Sequence, residues 1–196
     1  QGSLIDGDQI MAACGLDMKC KGQLPGDTVV ATVMSNLGFH LYTKEHGIKL
    51  ECTDVGDRNV LERMVERGYR LGGEQSGHMI FLEHATTGDG QLTALKLLAL
   101  LKESGKKASE VFSACPRYPQ VLINIPVAGN DVKKAAMASP LLAQAVQREE
   151  EALSGEGRVL VRPSGTEALM RVMVEAKTQE KAQETAQRLA DLISNL

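Results

Sequence analysis

The feature that most constrains the fold is an uninterrupted run of apolar and β-branched residues, Thr28–Met34. A strand that is apolar at nearly every position, rather than at every second one, is typical of a parallel sheet covered on both faces. Further strand-like runs follow, separated by helical patterns: Ile48–Thr53, Tyr69–Leu71 and His78–Leu82. This alternation predicts an open, parallel or mixed α/β sheet with helical crossovers.

Local signals mark the helices of this region. Asn36 is expected to cap one helix, and Asp57 is expected to cap the next, which Gly68 closes. A longer helix begins at Asp89. Its expected apolar stripe consists of leucines, namely Leu92, Leu95, Leu98 and Leu101.

The pattern changes around Pro116 and Pro119, which interrupt the chain. We therefore expect two domains, residues 1–115 and residues 116–196. In the second, alternating apolar residues predict a half-buried strand, a helical region precedes a hairpin, and an apolar-faced helix closes the chain. This order predicts a smaller α+β domain whose antiparallel sheet is covered by helices on one face.

The stretch RPSGTEALMRVMVE, residues 162–175, consists of strand-like sequence on either side of a turn with small residues. A glycine in such a turn lets backbone N–H groups converge into a nest that favours an anion, and hydroxyls add donors. Two arginines bracket the turn, and guanidinium groups suit phosphate oxygens. The candidate phosphate ligands are Arg162, Ser164, Gly165, Thr166 and Arg171. The alternative is an ordinary hairpin turn with surface arginines.

A second polar stretch, GGEQSGH at residues 72–78, lies where one predicted strand ends and another begins. Its glycines allow the backbone to approach a ligand closely. Glu74, Ser76 and His78 supply an acceptor, a hydroxyl and a titratable ring, which suit sugar hydroxyls or an amine. The alternative is a tight turn whose polar groups meet water.

Composition excludes several classes of function. The net charge of −3 leaves no polybasic patch for nucleic acid, and no apolar run approaches the roughly 20 residues needed to span a membrane. Four cysteines without metal-ligand spacing are typical of free thiols in a reducing cytoplasm. The Asp6-Gly-Asp8 segment lacks the next oxygen ligand of a metal loop, because Ile10 occupies that place. The first residue is Gln1 rather than Met, so we expect a piece of a longer protein.

Together, GGEQSGH and RPSGTEALMRVMVE resemble the corresponding loops of the α-D-phosphohexomutases, and the resemblance extends over essentially the whole chain. Shorter matching segments support it: Asp6–Ile10, Met34–Asn36, Val55–Val60 and Thr86–Gly90. The chain departs from the family pattern at Ala168, where proline is usual, and at Asn59, where an aromatic residue is usual.

The resemblance implies the third and fourth of four domains around a cleft. The phosphoserine loop and the loop that holds Mg²⁺ would lie in the missing N-terminal domains of the same protein. Glu74 and Ser76 would contact sugar hydroxyls, and His78 would be the candidate catalytic residue near the reacting end. The five residues of the second loop would bind the phosphate that is not transferred.

The substrate implied by the resemblance is a hexosamine phosphate. Val55–Arg58 and Gln75 favour a mutase that interconverts glucosamine 6-phosphate and glucosamine 1-phosphate, toward amino-sugar nucleotides and cell-wall precursors. The alternatives are a mutase for mannose or glucose phosphates, and a phosphosugar-binding module without catalysis. On its own this chain is expected to be inactive.

Overall fold

In a computed structural model of the protein, residues 2–196 are described. Gln1, on which the expectation of a longer protein rested, lies outside that range. The chain divides into two compact units, the first ending at Arg117 and the second running from Tyr118 to Leu196. The boundary expected from the sequence lay between residues 115 and 116. That the two units fold separately remains a prediction.

The first unit alternates helices and strands. Its helices are α1 (Gly7–Cys20), α2 (Leu37–Glu45), α3 (Asp57–Arg67), α4 (Gly90–Ser104) and α5 (Ala108–Phe112). Its strands are β1 (Thr28–Thr32), β2 (Lys49–Thr53), β3 (Leu71–Gly73) and β4 (Met79–Phe81). The strands form one sheet in the order β2-β1-β3-β4.

The sheet of the first unit is mixed. β1 pairs with β2 and β3 in parallel, and β4 adds an antiparallel edge. Every residue of β1 is buried, as expected for a strand covered on both faces. The α/β fold predicted for this half of the chain is therefore confirmed.

Two local predictions for the first unit are wrong. Gly56, not Asp57, is the N-cap of α3, and the Asp57 carboxylate accepts the N–H of Arg58 instead. In α4, Leu95 and Leu98 are 66% and 63% exposed, whereas Leu100 is buried. The predicted leucine stripe of α4 therefore does not face the core along its whole length.

The second unit is smaller. Residues 118–196 form strands β5 (Gln120–Pro126), β6 (Gly157–Pro163) and β7 (Leu169–Ala176), and helices α6 (Asn130–Met137), α7 (Pro140–Leu153) and α8 (Gln179–Ser194). The sheet is antiparallel, with β7 between β5 and β6. Alternate residues of β7 pack with the apolar side of α8, which confirms the helix-covered antiparallel sheet. Among residues 2–196, no helix is both long and apolar enough to cross a membrane.

Candidate functional site

The turn between β3 and β4 brings the candidate sugar-binding residues together; residues 72–78 are called the sugar loop below. The N–H of Glu74 donates to the His78 carbonyl at 2.9 Å, and the N–H of Gly77 donates to the Glu74 carbonyl at 2.9 Å. Gly77 has a φ of +102°, which a residue with a side chain adopts only with strain. The turn is therefore closed by its own backbone, and its side chains are left for other contacts.

The polar side chains of the sugar loop lie close to one another. The Nδ1 of His78 is 3.4 Å from the Ser76 hydroxyl and 4.0 Å from a Glu74 carboxylate oxygen. The other oxygen of Glu74 accepts the N–H of Gly56 at 3.1 Å, which fixes the carboxylate. The loop borders an open cleft of about 540 Å³ whose lining includes Asp6, Thr32, Val55, Glu74, Ser76 and Arg117.

A buried carboxyl group lies behind the sugar loop. Asp8, in the first turn of α1, is 2% exposed and accepts the N–H of Asn36 at 2.7 Å. Burial raises the pKa of Asp8 to about 6, while hydrogen bonds from Asn36, Ser35 and Gln75 act in the opposite direction. The N–H of Gly7 donates to the Gln75 carbonyl at 2.9 Å, which ties α1 to the loop.

Sequence reasoning missed this role of Asp8, because Asp6-Gly-Asp8 was considered as a possible metal loop and as a segment that matches the family, not as a buried support for another loop. The glycine between the two carboxylates, Gly7, was a sequence signal that another segment packs closely here. A Cβ on Gly7 would lie 2.0 Å from the Glu74 carbonyl oxygen, so only glycine allows α1 to approach the sugar loop this closely.

The second candidate site is the hairpin between β6 and β7; residues 162–171 are called the phosphate loop below. Arg162 and Arg171 are directly opposite each other in the strand register. Like charges directly opposite each other destabilise a sheet, and a negative group near them reduces the repulsion. A side-chain oxygen of Glu167 is 2.6 Å from an Nη of Arg171, and within residues 2–196 the buried Nε of Arg171 has no hydrogen-bond partner.

The same strand pair carries opposite charges at its other end. Arg158 lies opposite Glu175, and the two form an ion pair at 3.1 Å with the Glu175 side chain fully buried. The arginine at this end of the register therefore faces a buried carboxylate across the strands, whereas at the turn two arginines face each other and Arg171 pairs with the exposed Glu167.

The interior of the phosphate loop is built largely by Ser164. Gly165 has a φ outside the left-handed region, so its conformation is also open to residues with a side chain. Ser164 is 4% exposed; its N–H donates to the Leu169 carbonyl at 2.9 Å, and its hydroxyl accepts the N–H of Glu167 at 3.2 Å. Ser164 thus builds the turn. Phosphate binding by Ser164, Gly165 and Thr166 stays a prediction.

A magnesium site was not expected on this part of the protein. Within residues 2–196, no group of three or more histidine, cysteine, aspartate or glutamate side chains has an arrangement that could hold a metal ion.

The fold and the two loops define the class. Residues 6–118 match the family described as Phosphoglucomutase/phosphomannomutase, alpha/beta/alpha domain III, and residues 122–192 match its C-terminal domain. The chain belongs to the phosphoglucomutase/phosphomannomutase family.

Within that family the similar relatives share one name. A phosphoglucosamine mutase of Caldanaerobacter subterraneus subsp. tengcongensis is 53% identical, over 98% of this chain and 43% of its own length. One from Thermoanaerobacter sp. strain X514 is 54% identical over the same shares, 98% and 43%. The chain therefore spans less than half the length of the curated relatives it matches.

A solved structure agrees on the fold. N-acetylphosphoglucosamine mutase of Aspergillus fumigatus, solved with GlcNAc-6P and magnesium, has a TM-score of 0.81 at 21% identity. The match covers 98% of this chain and 44% of that one. At this level of identity the likeness concerns the fold alone.

Proposed function

We propose that this chain is the substrate-holding part of a mutase that interconverts glucosamine 6-phosphate and glucosamine 1-phosphate. The observation that carries the proposal is the like-charged pair of Arg162 and Arg171 beside a loop of small residues. The name shared by relatives more than 50% identical to the chain favours the amino sugar.

The phosphate loop would bind the phosphate that is not being transferred. A mutase of this kind must accept its sugar in two opposite orientations, so one phosphate needs an anchor that does not depend on the sugar. Binding energy at that anchor holds the other end of the substrate in place and lowers the entropic part of the barrier. Arg162, Arg171 and the amides and hydroxyls of residues 164–166 supply donors of this kind.

The sugar loop would orient the ring. Glu74 is a fixed acceptor for a hydroxyl or an ammonium group, and the Ser76 hydroxyl can both donate and accept. His78 is the candidate catalytic group, since its ring is exposed and lies 3.4 Å from the Ser76 hydroxyl, where a sugar oxygen can reach it.

The phosphoryl carrier and Mg²⁺ would belong to domains outside this chain. The metal would neutralise negative charge on the phosphoryl group during its transfer. We also propose a cytoplasmic location, because Cys14 and Cys115 are buried free thiols in the first unit.

Turnover by the full-length parent is the direct test. Mutase assays with glucosamine, glucose and mannose phosphates should show the highest kcat/KM for the glucosamine phosphates. Equal or higher kcat/KM for mannose or glucose phosphates would assign the enzyme to the other branch of the family. Absence of turnover, with binding retained, would favour a phosphosugar-binding module.

The isolated chain makes a second prediction. The purified 196-residue chain should show no turnover with or without Mg²⁺, because the carrier serine and the metal ligands are expected elsewhere. Turnover by this chain would overturn the division of roles.

A further inference from the structure

A buried lysine contacts the phosphate loop from the side of α6. Lys133 is 7% exposed, and its Nζ donates to the carbonyl oxygens of Ser164 at 2.7 Å and Glu167 at 2.5 Å. Lysine is almost never this buried unless its charge is well accommodated. The two carbonyls bracket residues 165 and 166, so one ammonium group holds the loop at both ends of its central segment.

This contact fixes the direction of an N–H group. In a planar trans peptide the C=O and the following N–H point in opposite directions. Because Lys133 holds the carbonyl of Ser164, the N–H of Gly165 in the same peptide unit points away from Lys133. A Cβ on Gly165 would meet no atom within 4 Å, so the space beside this residue is open.

Two neighbouring amides of the loop already have partners: the N–H of Ser164 donates to Leu169, and the N–H of Glu167 donates to the Ser164 hydroxyl. Because Lys133 holds the carbonyls of Ser164 and Glu167, it sets the direction of the N–H groups that follow them, those of Gly165 and Ala168. Of these two, the Gly165 amide belongs to the central segment that the two carbonyls bracket. Both carbonyl partners of Lys133 are neutral, so its positive charge adds to those of Arg162 and Arg171 at the loop, of which the Glu167 carboxylate offsets one.

We propose that Lys133 is the positioning residue of the phosphate site: it holds the Ser164 and Glu167 carbonyls so that the Gly165 N–H is presented to a phosphate. The inference rests on the proposed function of the loop. Lys133 acts through the backbone and does not touch the ligand. Its effect should therefore appear in phosphate affinity and in the Gly165 amide signal, beyond any effect on stability.

The experiment is an NMR titration of the ¹⁵N-labelled 196-residue chain with inorganic phosphate. In the unsubstituted chain, the Gly165 amide should shift more than those of Ser164 and Glu167. Lys133→Met should weaken phosphate binding about tenfold, equivalent to about 1.4 kcal/mol. It should also reduce the shift of the Gly165 amide signal. Lys133→Arg should recover part of the affinity, because a guanidinium can donate to both carbonyls.

Lys134 is the matched control, since it is the next residue of α6 and is exposed. Lys134→Met should bind phosphate as the unsubstituted chain does. Unchanged affinity in a folded Lys133→Met variant overturns the inference, even if that variant is less stable. If Lys133→Met does not fold, the unsubstituted titration decides, and larger shifts at Ser164 and Glu167 than at Gly165 overturn it.

Failure of the inference and failure of the proposed function give different results. If Arg171→Ala abolishes phosphate binding and Lys133→Met does not change it, only the role of Lys133 is wrong. If the unsubstituted chain does not bind phosphate at residues 162–171, the proposed function and the inference fall together.

Discussion

The sugar loop and the phosphate loop are each backed by a buried charged group, but the two groups have opposite sign. Asp8 is 2% exposed behind the sugar loop and accepts an N–H. Lys133 is 7% exposed behind the phosphate loop and donates to two carbonyls. Both loops connect neighbouring antiparallel strands, so the charge behind them is the clearer difference.

The sign of the buried charge is related to the kind of group that each loop presents to a ligand. At the phosphate loop the buried ammonium binds two C=O groups, and the N–H groups of the same peptide units are then turned outward. The Asp8 carboxylate instead accepts the N–H of Asn36, outside residues 72–78, so it does not turn the backbone of the sugar loop in this way. The phosphate loop gains outward N–H donors that suit an anion, whereas the sugar loop presents a carboxylate and a hydroxyl that suit sugar hydroxyls and amines.

The largest expected effect concerns the charge behind the sugar loop. Because burial raises the pKa of Asp8 from 3.8 to about 6, the folded state binds this proton more tightly than the unfolded state. The proton on Asp8 therefore stabilises the folded state fully below about pH 4. This stabilisation, about 3 kcal/mol, is lost as the pH rises through about 6. Asp8→Asn should remove that loss and make the first unit more stable at pH 7.

Hydrogen exchange of the β1 amides between pH 4 and 7 measures this change in the first unit. The second unit is an internal control, because it does not contain Asp8, and exchange of its β7 amides should not respond to the substitution. If Asp8→Asn leaves the pH dependence of the first unit's stability unchanged, the Asp8 carboxyl does not have a raised pKa. Asp8 is then not comparable with Lys133 as a buried charged group behind a loop.

The next effect concerns the two arginines of the phosphate loop. Arg171→Ala removes a charge-assisted contact and should weaken phosphate binding by about 1.5–3 kcal/mol, or roughly 10- to 150-fold. Arg171→Lys should restore this only in part, because the planar guanidinium fork is lost. Arg162→Ala should behave alike. Isothermal titration with inorganic phosphate measures the affinity, which should also fall as salt rises.

The stability of these variants sharpens the comparison. Removing one of two like charges that face each other relieves repulsion, so Arg162→Ala should destabilise the second unit much less than Arg158→Ala does. Arg158 lies four residues before Arg162, on the same face of β6. Arg158→Ala leaves the buried Glu175 carboxylate without this partner and should clearly destabilise the second unit. Equal losses of stability in both variants would contradict an anion site at the Arg162–Arg171 end.

Much of this arrangement follows from sequence, and the remainder depends on packing. The α/β alternation and the two polar loops are local patterns, so they can be predicted from neighbouring residues. The contact of Lys133 with residues 164 and 167 depends on where α6 packs, and no local pattern specifies it. The same holds for Asp8, whose burial depends on the approach of α1 to the sugar loop.

The predicted leucine stripe of α4 is wrong for a different reason. With 3.6 residues per turn, residues spaced by three drift by about 60° at each step around the helix. A stripe from Leu92 through Leu95 and Leu98 to Leu101 therefore turns through half the helix. Leu95 and Leu98 are exposed, whereas Leu92 and Leu101 pack against the core.

A smaller effect is expected at the sugar loop. In the full-length parent, Glu74→Ala should raise KM for glucosamine 6-phosphate roughly 5- to 30-fold, equivalent to about 1–2 kcal/mol of binding free energy. It should also reduce discrimination among hexose phosphates, because a sugar hydroxyl or amine loses its partner. Glu83→Ala, which removes an exposed carboxylate beyond β4, is the matched control. If kinetics and substrate preference are unchanged in Glu74→Ala, the sugar loop is only a turn.

The smallest effect is expected at Gly165, and its comparison with Gly77 tests how each loop is built. A Cβ at either glycine would meet no atom within 4 Å, but only Gly77 of the two has a left-handed φ. Gly77→Ala should therefore destabilise the first unit by about 1–2 kcal/mol. Gly165→Ala should change the stability of the second unit by less than about 0.5 kcal/mol. Phosphate affinity should still fall a few-fold in Gly165→Ala, because the added methyl crowds the open space beside its amide. A loss of stability in Gly165→Ala as large as in Gly77→Ala would mean that the phosphate loop depends on glycine conformation after all, and that Lys133 is not what sets its backbone.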